Sequence, residues 1–73
     1  MSNLPSISGK KCIDALCKNG FTVKRQKGSH IVLRRENPFS QVVVPNHKDL
    51  DRGTLRAIIR QANLSVTEFI KML

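Results

Sequence analysis

Residues 21–35 have the sequence FTVKRQKGSHIVLRR, which predicts two β-strands joined by a turn. Apolar and polar residues alternate over Phe21–Arg25, with the period of two that is typical of strands, and residues 30–35 form the second strand. The turn is Lys27-Gly28-Ser29, where glycine permits the chain to reverse. An antiparallel hairpin is therefore expected in the middle of the chain.

The same alternation assigns side chains to the two faces of the hairpin. In the second strand, Ile31 and Leu33 share the face toward the core. His30, Val32 and Arg34 lie on the other face, and if Ile31 and Leu33 face the helices, His30 and Arg34 face water. If Phe21 and Val23 of the first strand are core residues, their neighbours join the water-facing side: Thr22, Lys24 and Gln26. We therefore expect one imidazole among cations and amides on that side.

Capping residues predict three helices outside the hairpin. Their expected bounds follow the chain order: Gly9–Lys18 after a cap at Ser6 or Ser8, a helix through Ala62 after a cap at Asp49 or Asp51, and a short helix opened by the capping box Ser65-Val66-Thr67-Glu68. Asn19-Gly20 and Asn63 supply left-handed stops after the first and second helices.

A third strand completes the predicted sheet. It spans Gln41–Val44, between the turn Asn37-Pro38-Phe39-Ser40 and Pro45, which cannot donate a ladder hydrogen bond. Three consecutive valines leave the face of Val43 undecided. The order helix, three strands, helix, short helix predicts an α+β fold whose three-stranded antiparallel sheet has the helices on one face. We expect residues 1–73 to form a single domain.

The charge balance limits the classes of partner. The 73 residues include 13 Lys and Arg against 5 Asp and Glu, a formal charge of +8. Such an excess favours nucleic acid, an anionic membrane surface or an acidic protein, although it can also serve solubility alone. The longest apolar runs, Ile31–Leu33 and Val42–Val44, are far shorter than a membrane span, and Met1–Pro5 does not resemble a secretory signal. We expect a soluble, cytoplasmic protein with no membrane partner.

Several kinds of site are not expected. Cys12 and Cys17 lie within one helical arc with Ile13 and Leu16, which predicts two small buried side chains and no disulfide. Histidines and carboxylates do not cluster at metal-ligand spacing, so no metal and no cofactor are expected. Neither a serine nucleophile elbow nor a glycine-rich nucleotide loop is present.

The segment Gly28-Ser29-His30 is the strongest candidate for chemistry. Histidine is the one side chain whose unperturbed pKa, about 6.5, lets it accept and donate a proton near neutrality. Five nearby cations could hold a polyanion: Lys24, Arg25, Lys27, Arg34 and Arg35. RNA carries its own nucleophile, the 2′-hydroxyl, so an enzyme acting on it needs only a base, an acid and positive charge. His30 is thus a candidate general base. The alternatives are a polar residue beside the turn, a packing residue and a passive phosphate contact.

Further basic residues and a second histidine extend this hypothesis. On the second helix, Arg52, Arg56 and Arg60 recur every four residues, and we expect them near the sheet edge unless they form only a solvated helix flank. His47 is a candidate auxiliary catalytic residue, and Phe39 is the sole candidate for base stacking. The predicted RNA-binding set comprises Lys24, Arg25, Lys27, Gly28, Ser29, Arg34, Arg52, Arg56 and Arg60.

Five ordered blocks of this sequence resemble the HicA toxin family. The blocks are Gly20-Phe21, Arg25 to His30, Val42 to His47, Gly53 to Ile58, and Gln61 to Ser65. The resemblance implies a fold similar to the double-stranded RNA-binding domain and a ribosome-independent RNA-cleaving toxin of a type II toxin–antitoxin system. It further implies that His30 is the catalytic residue and that a HicB antitoxin covers the active face. The chain departs from the family pattern at Asn37–Ser40 and at Asn63, where glycine is common.

The resulting hypothesis is a metal-independent endoribonuclease that acts on mRNA. His30 takes a proton from the 2′-hydroxyl, and the products carry 2′,3′-cyclic phosphate ends. The proton donor for the leaving oxygen stays open among His47, a lysine and water. One alternative is a non-catalytic RNA-binding module of the same fold, and another is a structural subunit that binds an acidic protein. We expect a monomer when the protein is free of its partner.

Overall fold

The computed structural model describes residues 4–73, so the part of the N-terminal prediction that concerns Met1–Asn3 lies outside the described residues. Each helix begins at a predicted cap. The Ser8 side chain accepts a hydrogen bond from the Lys11 N–H at 3.1 Å, and Asp51 accepts from the backbone of Gly53 and Thr54. A complete capping box opens the last helix at Ser65. The helices are α1 (Gly9–Lys18), α2 (Arg52–Gln61) and α3 (Val66–Lys71).

Three strands form one antiparallel sheet with β2 in the centre. The strands are β1 (Thr22–Lys27), β2 (His30–Glu36) and β3 (Phe39–Pro45). The predicted four-residue turn before β3 is wrong, because the ladder continues to a pair between Glu36 and Phe39. Only Asn37 and Pro38, joined by a cis peptide bond, connect the two strands. Phe39 is therefore a strand residue with a defined face.

The core lies between one face of the sheet and the helices. The inward side chains of the sheet are Ile31, Leu33, Val42 and Val44, and they belong to one buried cluster with residues from all three helices. Phe21, just before β1, is also buried in this cluster, as predicted. The arrangement confirms the predicted α+β fold, α-β-β-β-α with a short last helix, which is similar to the double-stranded RNA-binding domain.

A β-bulge in β1 changes which of its side chains lie on the same face of the sheet as His30. Val23 pairs with Leu33, but Arg25 pairs with the next residue of β2, Val32, so Lys24 is an extra residue without a cross-strand partner. Beyond the bulge the alternation is shifted by one. The prediction that Gln26 would share the face of His30 is therefore wrong, because Gln26 pairs with the core residue Ile31 and the shift places Arg25 and Lys27 on the face of His30. The register does not assign Lys24 to either face, so that part of the prediction stays a prediction.

Two predicted core residues are exposed. Val23 lies opposite Leu33, yet 51% of its surface is accessible, because β1 is the edge strand and the helices cover it only in part. Cys17 is exposed whereas Cys12 is buried. Five residues rotate a helix by about 140° beyond one full turn, which places the two cysteines on different sides of α1. Burial raises the pKa of the Cys12 thiol to about 12.

Among residues 4–73, no helix combines the length and the hydropathy that crossing a membrane requires.

Candidate functional site

His30 is the first residue of β2 and follows a two-residue turn. Gly28 has φ of +59°, a left-handed conformation that glycine adopts without steric cost. The Gln26 side chain donates a hydrogen bond to the Gly28 carbonyl oxygen at 3.0 Å, which holds the turn from one side. His30 pairs with Lys27 in β1 and with Pro45 in β3, and its side chain is exposed.

The face of the sheet opposite the helices is called here the open face. Cross-strand partners point to the same face, so the register defines its members. They are Thr22, Arg25, Lys27, His30, Val32, Arg34, Glu36, Phe39, Gln41, Val43 and Pro45. The alternating burial of β3 supports this assignment and resolves the face of Val43, which is exposed.

Cations on β1 and β2 lie beside an apolar centre on the open face. Arg25, Val32 and Val43 form one cross-strand row, in which Val32 is only 8% exposed. In the next row, the Arg34 Nε donates to the Gln41 side-chain oxygen at 3.1 Å, which fixes the guanidinium over the sheet. The open-face cations therefore lie on β1 and on β2, the strand of His30, and β3 contributes none.

Arg35, predicted to be among the cations near His30, has a different place. The Arg35 Nε donates a hydrogen bond to the Pro38 carbonyl oxygen at 3.0 Å. One terminal guanidinium nitrogen donates to the Ala62 carbonyl oxygen at 3.2 Å. The guanidinium also lies over the Phe21 ring, 4.8 Å from its centroid. Arg35 therefore connects the β2–β3 turn to the end of α2 and is not part of the open face.

The backbone of His47 is held at the same end of the sheet as His30. The Asn46 N–H donates to the Ser29 carbonyl oxygen at 2.6 Å, so the chain stays beside the turn after β3 ends. The Gly9 N–H donates to the His47 carbonyl oxygen at 2.8 Å. The His47 side chain is exposed. The backbones of both histidines thus lie at the same end of the sheet.

The arginine row of α2 does not continue the open face. Arg52, Arg56 and Arg60 are exposed on a helix that packs against the other side of the sheet. Arg56 and Arg60 line a shallow pocket of about 230 Å³ beside α3, together with Ile59, Leu64 and Val66. These side chains belong to the helical layer and not to the open face, and the expectation that the row extends a basic surface from the sheet edge stays a prediction.

Sequence reasoning missed part of the open face. It did not place Glu36, Phe39 and Gln41 on the same face as His30, because it treated two of them as turn or pre-turn residues. The alternation that begins at Phe39 was the available signal, but the three valines after Gln41 concealed it. In residues 4–73, no group of three His, Cys, Asp or Glu side chains is arranged to hold a metal ion.

Fold and surface together define a class: small basic α+β proteins, similar in fold to the double-stranded RNA-binding domain, with an exposed histidine on the open face of the sheet. A family model described as "HicA toxin of bacterial toxin-antitoxin" matches residues 9–64, which is more than half of the chain. The chain therefore belongs to the HicA toxin family, as its sequence blocks predicted. A comparison with curated proteins finds no match.

Family membership assigns the general role. The protein is a toxin of a toxin–antitoxin system, and an antitoxin is its implied partner. HicA toxins are mRNA-cleaving toxins, which supports an endoribonuclease activity for this chain.

Proposed function

We propose that this toxin is a metal-independent endoribonuclease that cleaves mRNA with His30 as its general base. The observation that carries the proposal is the position of His30, an exposed imidazole on the open face with Lys27 directly opposite. Membership of the HicA family supports RNA as the substrate. The activity belongs in the cytoplasm, where mRNA is found.

The reaction uses the nucleophile of the RNA itself. The His30 imidazole takes the proton of a ribose 2′-hydroxyl, and the 2′-oxygen attacks the adjacent phosphorus. The bond between phosphorus and the 5′-oxygen breaks, and that oxygen receives a proton. The products are a 2′,3′-cyclic phosphate and a 5′-hydroxyl. General base catalysis by a positioned side chain contributes typically ~10²–10⁴-fold to the rate.

Positive charge on the open face binds the RNA backbone. Lys27 stabilises the charge that builds on the phosphoryl oxygens during attack, because it is the cation paired with His30. Arg25 and Arg34 bind neighbouring phosphates, and Lys24 adds charge at the sheet edge. The exposed turn at Gly28-Ser29 lets the RNA backbone approach His30 closely. The α2 arginines do not contribute to this phosphate-binding surface.

A HicB-like antitoxin inhibits the toxin by covering the open face. A partner that shields His30 must meet Arg25, Lys27 and Arg34, so its contact surface should carry acidic groups. Val43, 42% of whose surface is accessible, gives the same partner an apolar contact to desolvate.

The test is cleavage of an end-labelled RNA in EDTA by the wild-type protein and by His30→Ala. Wild-type protein should cut the RNA and leave cyclic phosphate ends, whereas His30→Ala should lose roughly 10²–10⁴-fold in rate while its RNA affinity changes little. Equal RNA binding by both proteins with no cleavage by either would favour the non-catalytic RNA-binding module. Tight binding to an acidic protein with little binding to RNA would favour the structural subunit.

The matched control is His47→Ala, because His47 is the second exposed histidine at the same end of the sheet. A substrate whose leaving 5′-oxygen is replaced by sulfur needs little help from an acid. If His47 donates the proton, this substrate restores the rate of His47→Ala but not that of His30→Ala. If His47→Ala cuts ordinary RNA at the wild-type rate, the proton comes from a lysine or from water.

A further inference from the structure

An aromatic ring is exposed at the end of the open face that lies far from His30. Phe39 is 64% accessible, more than any other large apolar side chain among residues 4–73. It pairs with Glu36, six residues along β2 from His30, so about 20 Å of strand separates the ring from the imidazole. A single exposed apolar residue needs no explanation by itself, so the surroundings of Phe39 decide its meaning.

Both neighbours of Phe39 are fixed to the helical layer. The Arg35 guanidinium holds the Pro38 carbonyl oxygen and also the Ala62 carbonyl oxygen at the end of α2. On the other side, the Ser40 hydroxyl donates to the Gln61 carbonyl oxygen at 2.5 Å. The backbone that carries the ring is therefore held in place before any ligand arrives, which lowers the entropy cost of binding to it.

The residue opposite the ring is acidic. Glu36 is exposed, and a directly paired side chain has its Cβ about 4.5–5.5 Å from that of its partner. A carboxylate repels phosphate, so this end of the open face does not bind the RNA backbone. A carboxylate does accept hydrogen bonds from the amino group of a base such as cytosine.

We propose that Phe39 and Glu36 form a nucleobase subsite, in which a base of single-stranded RNA stacks on the Phe39 ring and donates its exocyclic amino group to Glu36. This subsite rests on the proposed function, since it requires RNA to lie along the open face from His30. The subsite selects an amino-bearing base over uracil. Stacked strands rise about 3.4 Å per nucleotide, so the selected base lies at most about six nucleotides from the cleaved bond.

The experiment measures binding of short RNAs to the His30→Ala protein, in which cleavage cannot interfere. The probes are an oligouridylate and copies of it in which one uridine at successive positions is replaced by cytidine. We expect one cytidine position to tighten binding. Phe39→Ala should weaken binding of that RNA by about five- to 150-fold, the range of one base–aromatic stack, whereas Phe39→Trp should preserve it. Glu36→Ala, which removes the acceptor for the amino group, should remove the preference for cytidine.

Val23→Ala is the matched control, because Val23 is an exposed apolar strand residue outside the open face. It should leave RNA binding unchanged. If Phe39→Ala binds every probe as tightly as its parent, while Lys27→Ala binds more weakly, the subsite is absent but the open-face cations still bind RNA. If Phe39→Ala impairs binding of the antitoxin alone, the ring serves the protein partner and the subsite is also refuted. If no probe binds at all, the proposed function fails and the subsite fails with it.

Discussion

Gly9 occupies the point where α1 meets the end of β3. A Cβ atom at this position would collide with the Pro45 carbonyl oxygen and would press on the backbone of Asn46 and His47. The absent side chain lets the Gly9 N–H reach the His47 carbonyl oxygen. One glycine therefore sets how closely the first helix approaches the segment that carries the second histidine.

Gly9→Ala should destabilise the protein, even though alanine is the better helix former. The collision involves backbone atoms, which cannot rotate away, so the expected cost is about 1–3 kcal/mol, as for an overpacked core. Unfolding in urea measures it. The control is Gly53→Ala in the first turn of α2, where a Cβ would make only ordinary contacts with Asp51. Gly53→Ala should be neutral or stabilising, and a stabilised Gly9→Ala would show that α1 does not pack as described.

At the scale of elements, the helices obey local signals. Asp51 caps α2 through the backbone N–H groups of Gly53 and Thr54 and through the Thr54 hydroxyl, which donates at 2.8 Å. These hydrogen bonds, led by that of the Thr54 hydroxyl, lower the pKa of the Asp51 carboxyl. The folded state therefore holds this proton less tightly than the unfolded chain does.

The stabilisation from Asp51 should depend on pH. Because its folded-state pKa lies below the ordinary value of about 3.9, the contribution is complete above that value and disappears as the pH falls through the lower, folded-state pKa. Asp51→Ala should thus be less stable than wild type at neutral pH, and the two stabilities should converge in strong acid. Thermal unfolding over a pH series measures this. Asp49→Ala, at the alternative cap of the sequence prediction, should match wild type throughout; a loss there equal to that of Asp51→Ala would refute the assignment.

The sequence predicts the helices better than the sheet for a physical reason. Ser8, Asp51 and Ser65 bond to backbone groups two or three residues away, and Asn63 takes its left-handed conformation, φ +59°, immediately after α2, so adjacent residues suffice to predict them. The bulge at Lys24 and the early start of β3 at Phe39 depend on pairing with β2. The residues adjacent to these positions in the sequence do not determine that pairing. The position of His30 at the start of β2 was predictable, because His30 directly follows a glycine turn.

Across the whole molecule, the two layers separate the positive charge into two surfaces. Arg25, Lys27 and Arg34 lie on the open face, whereas Arg56 and Arg60 lie beside α3 in the helical layer. A net charge of +8 attracts a polyanion from any direction, but only one of these surfaces contains His30. Attraction and productive binding should therefore respond differently to mutation.

RNA affinity should fall steeply with salt and in a way that identifies the binding surface. Three phosphates neutralised by the open face give a log–log slope of about −2, at about −0.7 for each phosphate on a single strand. Lys27→Ala should make the slope less negative by about 0.7. Arg56→Ala removes the same charge from the helical layer and should leave the slope unchanged. Binding titrations of an oligonucleotide at several salt concentrations measure both, and equal effects of the two variants would contradict a binding surface confined to the open face.

The bulge at Lys24 has a consequence for how such toxins can diverge. Without it, β1 would place Gln26 on the open face in place of Arg25 and Lys27, although not one amino acid would have changed. Two descendants of a common ancestor could thus display different charge patterns simply because a bulge moved or an indel removed it. Comparing such sequences column by column would score these positions as identical. The position of the bulge, as well as the identity of each residue, therefore decides which charges lie on the open face of proteins with this sheet.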